Sequence, residues 1–309
     1  MMTSRYHIIS RSDIGKIRQR NEDAVGVSTA NQLPSLLEND IDAIVVLADG
    51  MGGHPGGDIA SQLAVNVCLT SLCNLFGVAE NKNQTQNQDK TVPLQQTSLD
   101  RADADEIEKA MLKAIRAANR AIFSTALRQP HLENMGTTIV VCVLQHHDVY
   151  IAHIGDSRVY LADFDQNQQQ SSVATVDKTD TIDKNALKLI TKDHSLKQSL
   201  LDSGALSEAA SESFAHAHTL TQALGSSLKI KPSFNRLQLA IDAKPILLLC
   251  SDGLSNSLSH GQLASLLHQA TTLDAKADQL IAAANEAGGL DNISLILITP
   301  SDTEPGESV

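Results

Sequence analysis

Two apolar runs in this chain end abruptly in the same dipeptide, and that shared ending limits the possible folds more than any other feature. Val45-Val46-Leu47-Ala48 stops at Asp49-Gly50, and Leu247-Leu248-Leu249-Cys250-Ser251 stops at Asp252-Gly253. Short, continuous apolar runs of this kind read as buried strands. A strand that breaks at Asp-Gly presents one carboxylate and nearby bare carbonyls at a sheet edge, an all-oxygen setting that suits Mg²⁺ and Mn²⁺. One Asp-Gly is also ordinary hairpin punctuation, so the argument depends on what accompanies the pair.

Three further aspartates share the context. Asp23 precedes a β-branched run, Asp156 lies in Ile154-Gly155-Asp156-Ser157-Arg158, and Asp291 lies in Gly288-Gly289-Leu290-Asp291-Asn292. Each alone reads as an Asx-turn or cap; five in one context are harder to explain as turns. Carboxylates gathered in one place repel one another without cations. Two Mg²⁺ or Mn²⁺ ions about 3.5–4 Å apart would relieve that repulsion and hold a bridging water as nucleophile for in-line attack on phosphorus. Phosphate-ester hydrolysis is slow enough uncatalysed to need such help. Arg18, in Gly15-Lys16-Ile17-Arg18-Gln19-Arg20, can hold two phosphoryl oxygens with its planar fork; with Lys16 and Arg20 beside it, it also reads as part of a solvated basic loop.

Strands are expected at Tyr6–Ser10, Ala24–Thr29, Ile41–Ala48, Thr137–Leu144, Val149–Ile154, Val159–Ala162, Leu187–Thr191, Ile246–Ser251 and Ile293–Thr299. A helix capped by Asp58 carries Ile59, Leu63, Val67 and Leu72; a long amphipathic helix at 103–127 carries Ile107, Met111, Ile115, Ala118 and Ile122. Ser195 and Gln198 fit a capping box, and 261–270 and 274–287 read as helices. Strands that cluster rather than repeat a βαβ unit favour an α+β layered fold with antiparallel sheets. Polar, Gln-rich segments at 80–96 and 163–185 read as solvated extensions.

The 309 residues, 42% hydrophobic, can bury a full core as one domain or two; no linker is evident, which favours one. A net charge of −12 argues against a nucleic-acid or anionic-membrane partner, and 3% aromatic content with no Trp argues against sugar or base stacking. Cys68, Cys73, Cys142 and Cys250 show no C-x-x-C spacing and read as buried thiols of a reducing compartment. Residues 1–10 lack a signal core and no stretch approaches bilayer-spanning length, so a soluble cytoplasmic protein is expected. Gly50-Met51-Gly52 lacks the third glycine and distal acid of a dinucleotide fingerprint.

Taken in order, G-x-x-R-x-x-N-E-D at 15–23, D-G-M-G-G-H at 49–54, M-G-T-T at 135–138, G-D-S-R at 155–158, T-x-D-H-S at 191–195, L-T-x-A-L-G at 220–225, S-D-G-L at 251–254 and G-G-x-D-N at 288–292 resemble the metal-dependent protein phosphatase family, type 2C, in its bacterial branch. The resemblance covers roughly residues 5–299. It implies a four-layer α-β-β-α sandwich of two antiparallel sheets flanked by helix pairs, with a flap-like region near 193–240, insertions near 80–100 and 163–185, and a short tail at 300–309. It implies that Asp49 bridges two metals, that Gly50 offers its carbonyl to one, and that Asp252 and Asp291 hold the other. Asp156 with Asp252 would form a third, weaker site, Asp23 would act through water, and Arg18 would bind phosphate. The implied activity is hydrolysis of phosphoserine and phosphothreonine in proteins, opposite a Ser/Thr kinase, by a monomer using Mn²⁺ or Mg²⁺. The alternatives are a binding module without turnover, or a phosphatase for small phosphoesters or another non-kinase substrate.

The chain departs from the family at three places. Met51 stands where eukaryotic relatives often have a proton-donating histidine, and His54 reads as a loop residue rather than an acid. Gln222 stands where arginine is common. The stretch Phe214-Ala215-His216-Ala217-His218 reads as a polar surface loop rather than a metal motif.

Overall fold

A computed structural model describes residues 5–51, 56–77, 103–163, 187–211, 214 and 216–301. In chain order these form β1 (Tyr6–Asp13), β2 (Asp23–Thr29), β3 (Ala43–Asp49), α1 (Gly57–Gly77), α2 (Ala104–Arg128), β4 (Ile139–Gln145), β5 (Asp148–Ile154) and β6 (Arg158–Ala162). The second half comprises β7 (Leu187–Leu189), α3 (Leu196–Asp202), α4 (Glu208–Ser211), β8 (Ser233–Gln238), β9 (Ile246–Cys250), α5 (Asp252–Ser255), α6 (His260–His268), α7 (Leu273–Glu286) and β10 (Ile293–Pro300). One sheet runs β1-β10-β9-β6-β7 and the other β2-β3-β4-β5-β8, with every described pairing antiparallel.

The strands are apolar on both faces because both faces are covered. Along β3, Val45 and Leu47 point into the space between the sheets, while Ile44, Val46 and Ala48 point at α1 and α2. In the other sheet, Leu247, Leu249, Ile296 and Ile298 face inward, and Ile246, Leu248, Leu295 and Leu297 face α6 and α7. This strict period of two makes four layers, helix–sheet–sheet–helix, with three apolar seams. It also decides what happens at the sandwich edge: the parity that buries Val45 and Leu47 turns Asp49 inward as well.

The α+β sandwich agrees with the reading above, and α2 buries all five residues of its expected stripe. Five local expectations need correction. The core-facing side of α1 is Ala60, Ala64, Cys68, Leu72 and Phe76, whereas Ile59 is exposed. The polar series Gln62, Asn66, Thr70 and Asn74, four residues apart, is the exposed side, and the smaller Ala60, Ala64 and Cys68 opposite it meet the sheet. Asp58 is inside the first turn, bonding the Ile59 N–H, rather than preceding the helix. By length and composition α1 does reach what a bilayer-spanning helix requires, yet it packs against α2, β2 and β3. Ser195 accepts the Gln198 N–H at 3.2 Å, but the Gln198 side chain turns to Asp202, leaving half a capping box; the complete one is Ser259 with Gln262. Strand β8, on the outer edge of its sheet and only partly buried, was missed because Ser233–Gln238 carries little apolar signal. The Gln-rich segments, the tail beyond 301 and His54 lie outside the described residues.

Candidate metal centre

At one edge of the sandwich the inward-facing positions change from apolar to acidic. Asp23, the first residue of β2, pairs directly across from Asp49, the last of β3. The Asp49 backbone is latched on both sides by the Thr137–Thr138 step. Its carbonyl accepts the Thr138 N–H at 2.9 Å and the Thr137 hydroxyl at 2.8 Å, and its N–H donates to Thr138 Oγ1 at 3.1 Å. Thr138 Oγ1 in turn lies 2.7 Å from Ser157 Oγ, tying the turn that carries Asp156 to the same point. From the facing sheet, Asp252 opens α5 directly after β9, and Asp291 ends the loop that enters β10.

Arg18, Asp49, Gly50, Asp156, Asp252 and Asp291 therefore line one open cleft of about 350 Å³. Asp23 is sealed behind it: Oδ2 accepts the Ser251 hydroxyl at 2.8 Å, and Oδ1 is buried with no hydrogen-bond partner among the described residues. Arg18 reaches across, bonding Asp291 Oδ2 at 2.8 Å and lying 3.7 Å from Glu22 Oε2. His218, expected in a polar surface loop, lines the same cleft, its Nδ1 lying 3.4 Å from Asn256 Nδ2. Asn256 also donates to Asp252 Oδ2 at 3.1 Å.

The electrostatics follow from the crowding. Asp49 is held well above the ordinary carboxylate range by loss of solvent and then by the charges of Asp23, Asp252, Asp156 and Asp291. Asp156 is pushed up to about 7 by burial and then by Asp252 and Asp193. Asp23 rises to about 7 through burial, against the hydroxyl bonds that lower it. Asp252 is raised by burial and then by Asp291. A single guanidinium does not balance this much negative charge; divalent cations would. The donor set is all oxygen, the bare Gly50 backbone sits where a Cβ would meet the Gly57 carbonyl at 2.3 Å, and Asp23 Oδ1 awaits a donor. No three His, Cys, Asp or Glu side chains close on one point among the described residues. The acids are spread along the cleft, which suits ions that keep part of their water shell.

Several supporting residues lie in the motifs quoted above, but the sequence assigned them no role. Asn292 accepts the Glu22 N–H and donates to the carbonyls of Ile14 and Arg20, each at 2.8–2.9 Å, so it fixes the loop bearing Arg18. His194 takes the Gly155 N–H on Nδ1 at 3.2 Å and gives its own N–H to the Gly155 carbonyl at 2.9 Å, anchoring the turn before Asp156. With Nδ1 an acceptor, Nε2 carries the proton toward Ser233 Oγ at 2.9 Å. Asp193 grips Arg158 through two bonds of 3.0 and 2.7 Å. Gln222 accepts the Lys231 N–H at 3.1 Å, a structural contact.

Residues 18–287 match the family model described as Protein phosphatase 2C. The chain belongs to the protein phosphatase 2C family. It is 32% identical over 301 residues to the serine/threonine phosphatase stp of Listeria monocytogenes, covering 97% of this chain and 98% of that protein. The S. agalactiae serine/threonine phosphatase superposes with a TM-score of 0.71 at 28% identity, covering 96% of this chain and all of the other. The catalytic domain of the phosphatase PstP in complex with two manganese ions gives 0.65 at 27% identity, covering 96% and 99%. This protein phosphatase 2C member is a metal-dependent protein serine/threonine phosphatase, and the ions of the family are Mn²⁺ or Mg²⁺.

Proposed function

We propose that residues 5–299 act as one phosphatase domain, with Asp49, the Gly50 carbonyl, Asp252 and Asp291 as ligands of two metal ions and Asp156 with Asp252 as a weaker third site. When bound, two such ions neutralise charge on the phosphoryl group and supply a nucleophilic water near neutral pH. The observation that carries this reading is the lining of one cleft by four half-buried carboxylates, three of them held above their ordinary range.

The chain's own groups have distinct tasks in this reading. Arg18 holds phosphoryl oxygens with its fork, orienting phosphorus toward the acidic floor. Asp23 acts through water behind that floor, its Oδ1 open to accept a hydrogen bond while Oδ2 takes the Ser251 hydroxyl. The Thr137–Thr138 latch keeps Asp49 from relaxing away from its like-charged neighbours, so the site is preorganised for cations before they arrive. The substrates are proteins phosphorylated by a Ser/Thr kinase. The chain acts in the cytoplasm as a monomer without nucleic-acid or membrane partners, consistent with its net charge of −12.

Phosphate release from a phosphothreonine peptide, measured with Mn²⁺ and with excess EDTA for the parent protein and Asp49→Asn, tests the assignment. Turnover that requires Mn²⁺ and disappears in the variant is expected. A folded, Mn²⁺-loaded protein that releases no phosphate would be a binding module instead.

A further inference from the structure

Beside Arg18, two loops at the cleft rim carry exposed apolar side chains that join no core cluster. Two tripeptides, Lys16-Ile17-Arg18 and Gly289-Leu290-Asp291, lie against each other and are joined at both ends. The Lys16 N–H donates to the Gly289 carbonyl at 2.7 Å, and Arg18 Nη2 donates to Asp291 Oδ2 at 2.8 Å. The middle residues are left outward: Ile17 is 64% exposed and Leu290 69%. Ile14, whose carbonyl is held by Asn292 at 2.9 Å, adds a third exposed side chain to the same loop pair. These are three of the nine large apolar side chains exposed among the described residues.

Single exposed apolar residues need no explanation, but a cluster fixed by charged and backbone bonds does. Each tripeptide ends in a member of the catalytic centre, Arg18 in one and Asp291 in the other. A residue flanking a phosphoserine or phosphothreonine held by Arg18 is therefore within reach of this rim. Water is more easily displaced from Ile17 and Leu290 by another apolar side chain than by a charged one.

We propose that Ile17 and Leu290 form a subsite for a large apolar side chain next to the phosphorylated residue, so that this enzyme selects phosphosites with an apolar neighbour. The proposal rests on the phosphoprotein reading above and names its substrate preference. The subsite acts on peptide binding and leaves the metal centre untouched, so it acts through KM.

The test uses full-length, Mn²⁺-loaded protein and four matched pairs of phosphothreonine peptides. Each pair carries Leu or Ser at one position, two or one residues before or after the phosphothreonine. At one of these positions Leu is expected to raise kcat/KM on the order of tenfold through a lower KM, the scale of one apolar contact in specificity. The double variant Ile17→Ser with Leu290→Ser is expected to erase that difference while hydrolysing p-nitrophenyl phosphate at the parent kcat. Equal turnover of Leu and Ser peptides by the parent protein at all four positions overturns the proposal, as does a preference that survives the double substitution. A parent dimer that the double variant disperses assigns the rim to a second copy of the chain instead. Hydrolysis of p-nitrophenyl phosphate with no turnover of any phosphopeptide sinks the phosphoprotein reading itself, and the subsite with it.

Discussion

Asp49-Gly50 and Asp252-Gly253 are the same dipeptide after two similar apolar strands, yet they are built differently. Asp49 closes β3 and keeps strand-like bonds, with its carbonyl and N–H latched to Thr137 and Thr138 and Gly50 bridged to Thr137. Asp252 instead opens a helical turn, its carbonyl accepting the Asn256 N–H at 2.7 Å. Neither glycine has a positive φ, so neither serves as the hairpin residue its neighbour suggests. Each is required for close approach. A Cβ on Gly50 would meet the Gly57 carbonyl at 2.3 Å, and one on Gly253 would meet the Asn292 carbonyl at 1.9 Å. The shared dipeptide thus encodes an acid followed by room for another backbone, supplied in one case by the first residue of α1 and in the other by the loop residue before β10.

The largest test of this difference removes the acids. Asp49→Asn should lower kcat/KM on the order of 10³-fold or more, since it is proposed to serve both ions. Asp252→Asn should also cut turnover severely while the protein stays folded by circular dichroism. Near-parental activity of Asp252→Asn at saturating Mn²⁺ would falsify its place in the centre.

The glycines give the next largest effect. Alanine at either should destabilise by about 1–3 kcal/mol, the usual cost of overpacking against atoms that cannot move aside. For a chain of this size that corresponds to about 1–2 °C in Tm per kcal/mol. Gly253→Ala should be the worse of the two, because its contact is closer and with a carbonyl next to Asp291. Thermal unfolding that ranks Gly50→Ala lower in stability reverses the comparison.

Arg18 touches the second acid end through Asp291 and sharpens the comparison further. Arg18→Ala should raise KM for a phosphopeptide on the order of tenfold, with a smaller change in kcat. An unchanged KM removes Arg18 from the phosphate site.

Metal-free protein carries an effect read in stability alone, a pH dependence. Asp23 and Asp156 have folded values near 7 against about 3.9 for an unfolded aspartate. The folded state therefore binds more protons between those limits, and stability falls as pH rises from about 4 toward 7. Melting in EDTA should be higher at pH 5 than at pH 7.5, and added Mn²⁺ should restore Tm at pH 7.5. A metal-free Tm that rises over that interval contradicts the crowding of charge at the centre.

Much of this was legible before the fold was known. The long α2 stripe from Ile107 to Ile122 was readable because polar residues alternate with it, and both Asp-Gly strand ends were readable because apolar runs stop there so sharply. The face of α1 was not read, since the larger Ile59, Leu63 and Val67 outweighed the small Ala60 and Ala64 that lie opposite the polar series Gln62, Asn66, Thr70 and Asn74. Strand β8 was not, since an edge strand with exposed residues has no burial pattern to read. Asn292 and His194 were visible as motif residues, but their clamping roles were not, because each bonds backbone groups far away in the chain, as Asn292 does with Ile14, Arg20 and Glu22. The sequence placed His218 in a polar surface loop, and only the fold brought it to the acidic cleft.

The division follows from the range of the forces. Periodicity, strand endings and residue chemistry are local, so the chain alone specified which residues alternate inward, where acids terminate strands, and that hard cations suit them. Which strand lies opposite which depends on long-range register: Asp23 faces Asp49, Ser251 reaches Asp23, and Arg18 reaches Asp291 across 273 residues of sequence only after both sheets have packed. Burial of the seam between the sheets set that register, and with it the crowding that raises the carboxylates above their ordinary range and makes the edge of the sandwich a place for cations.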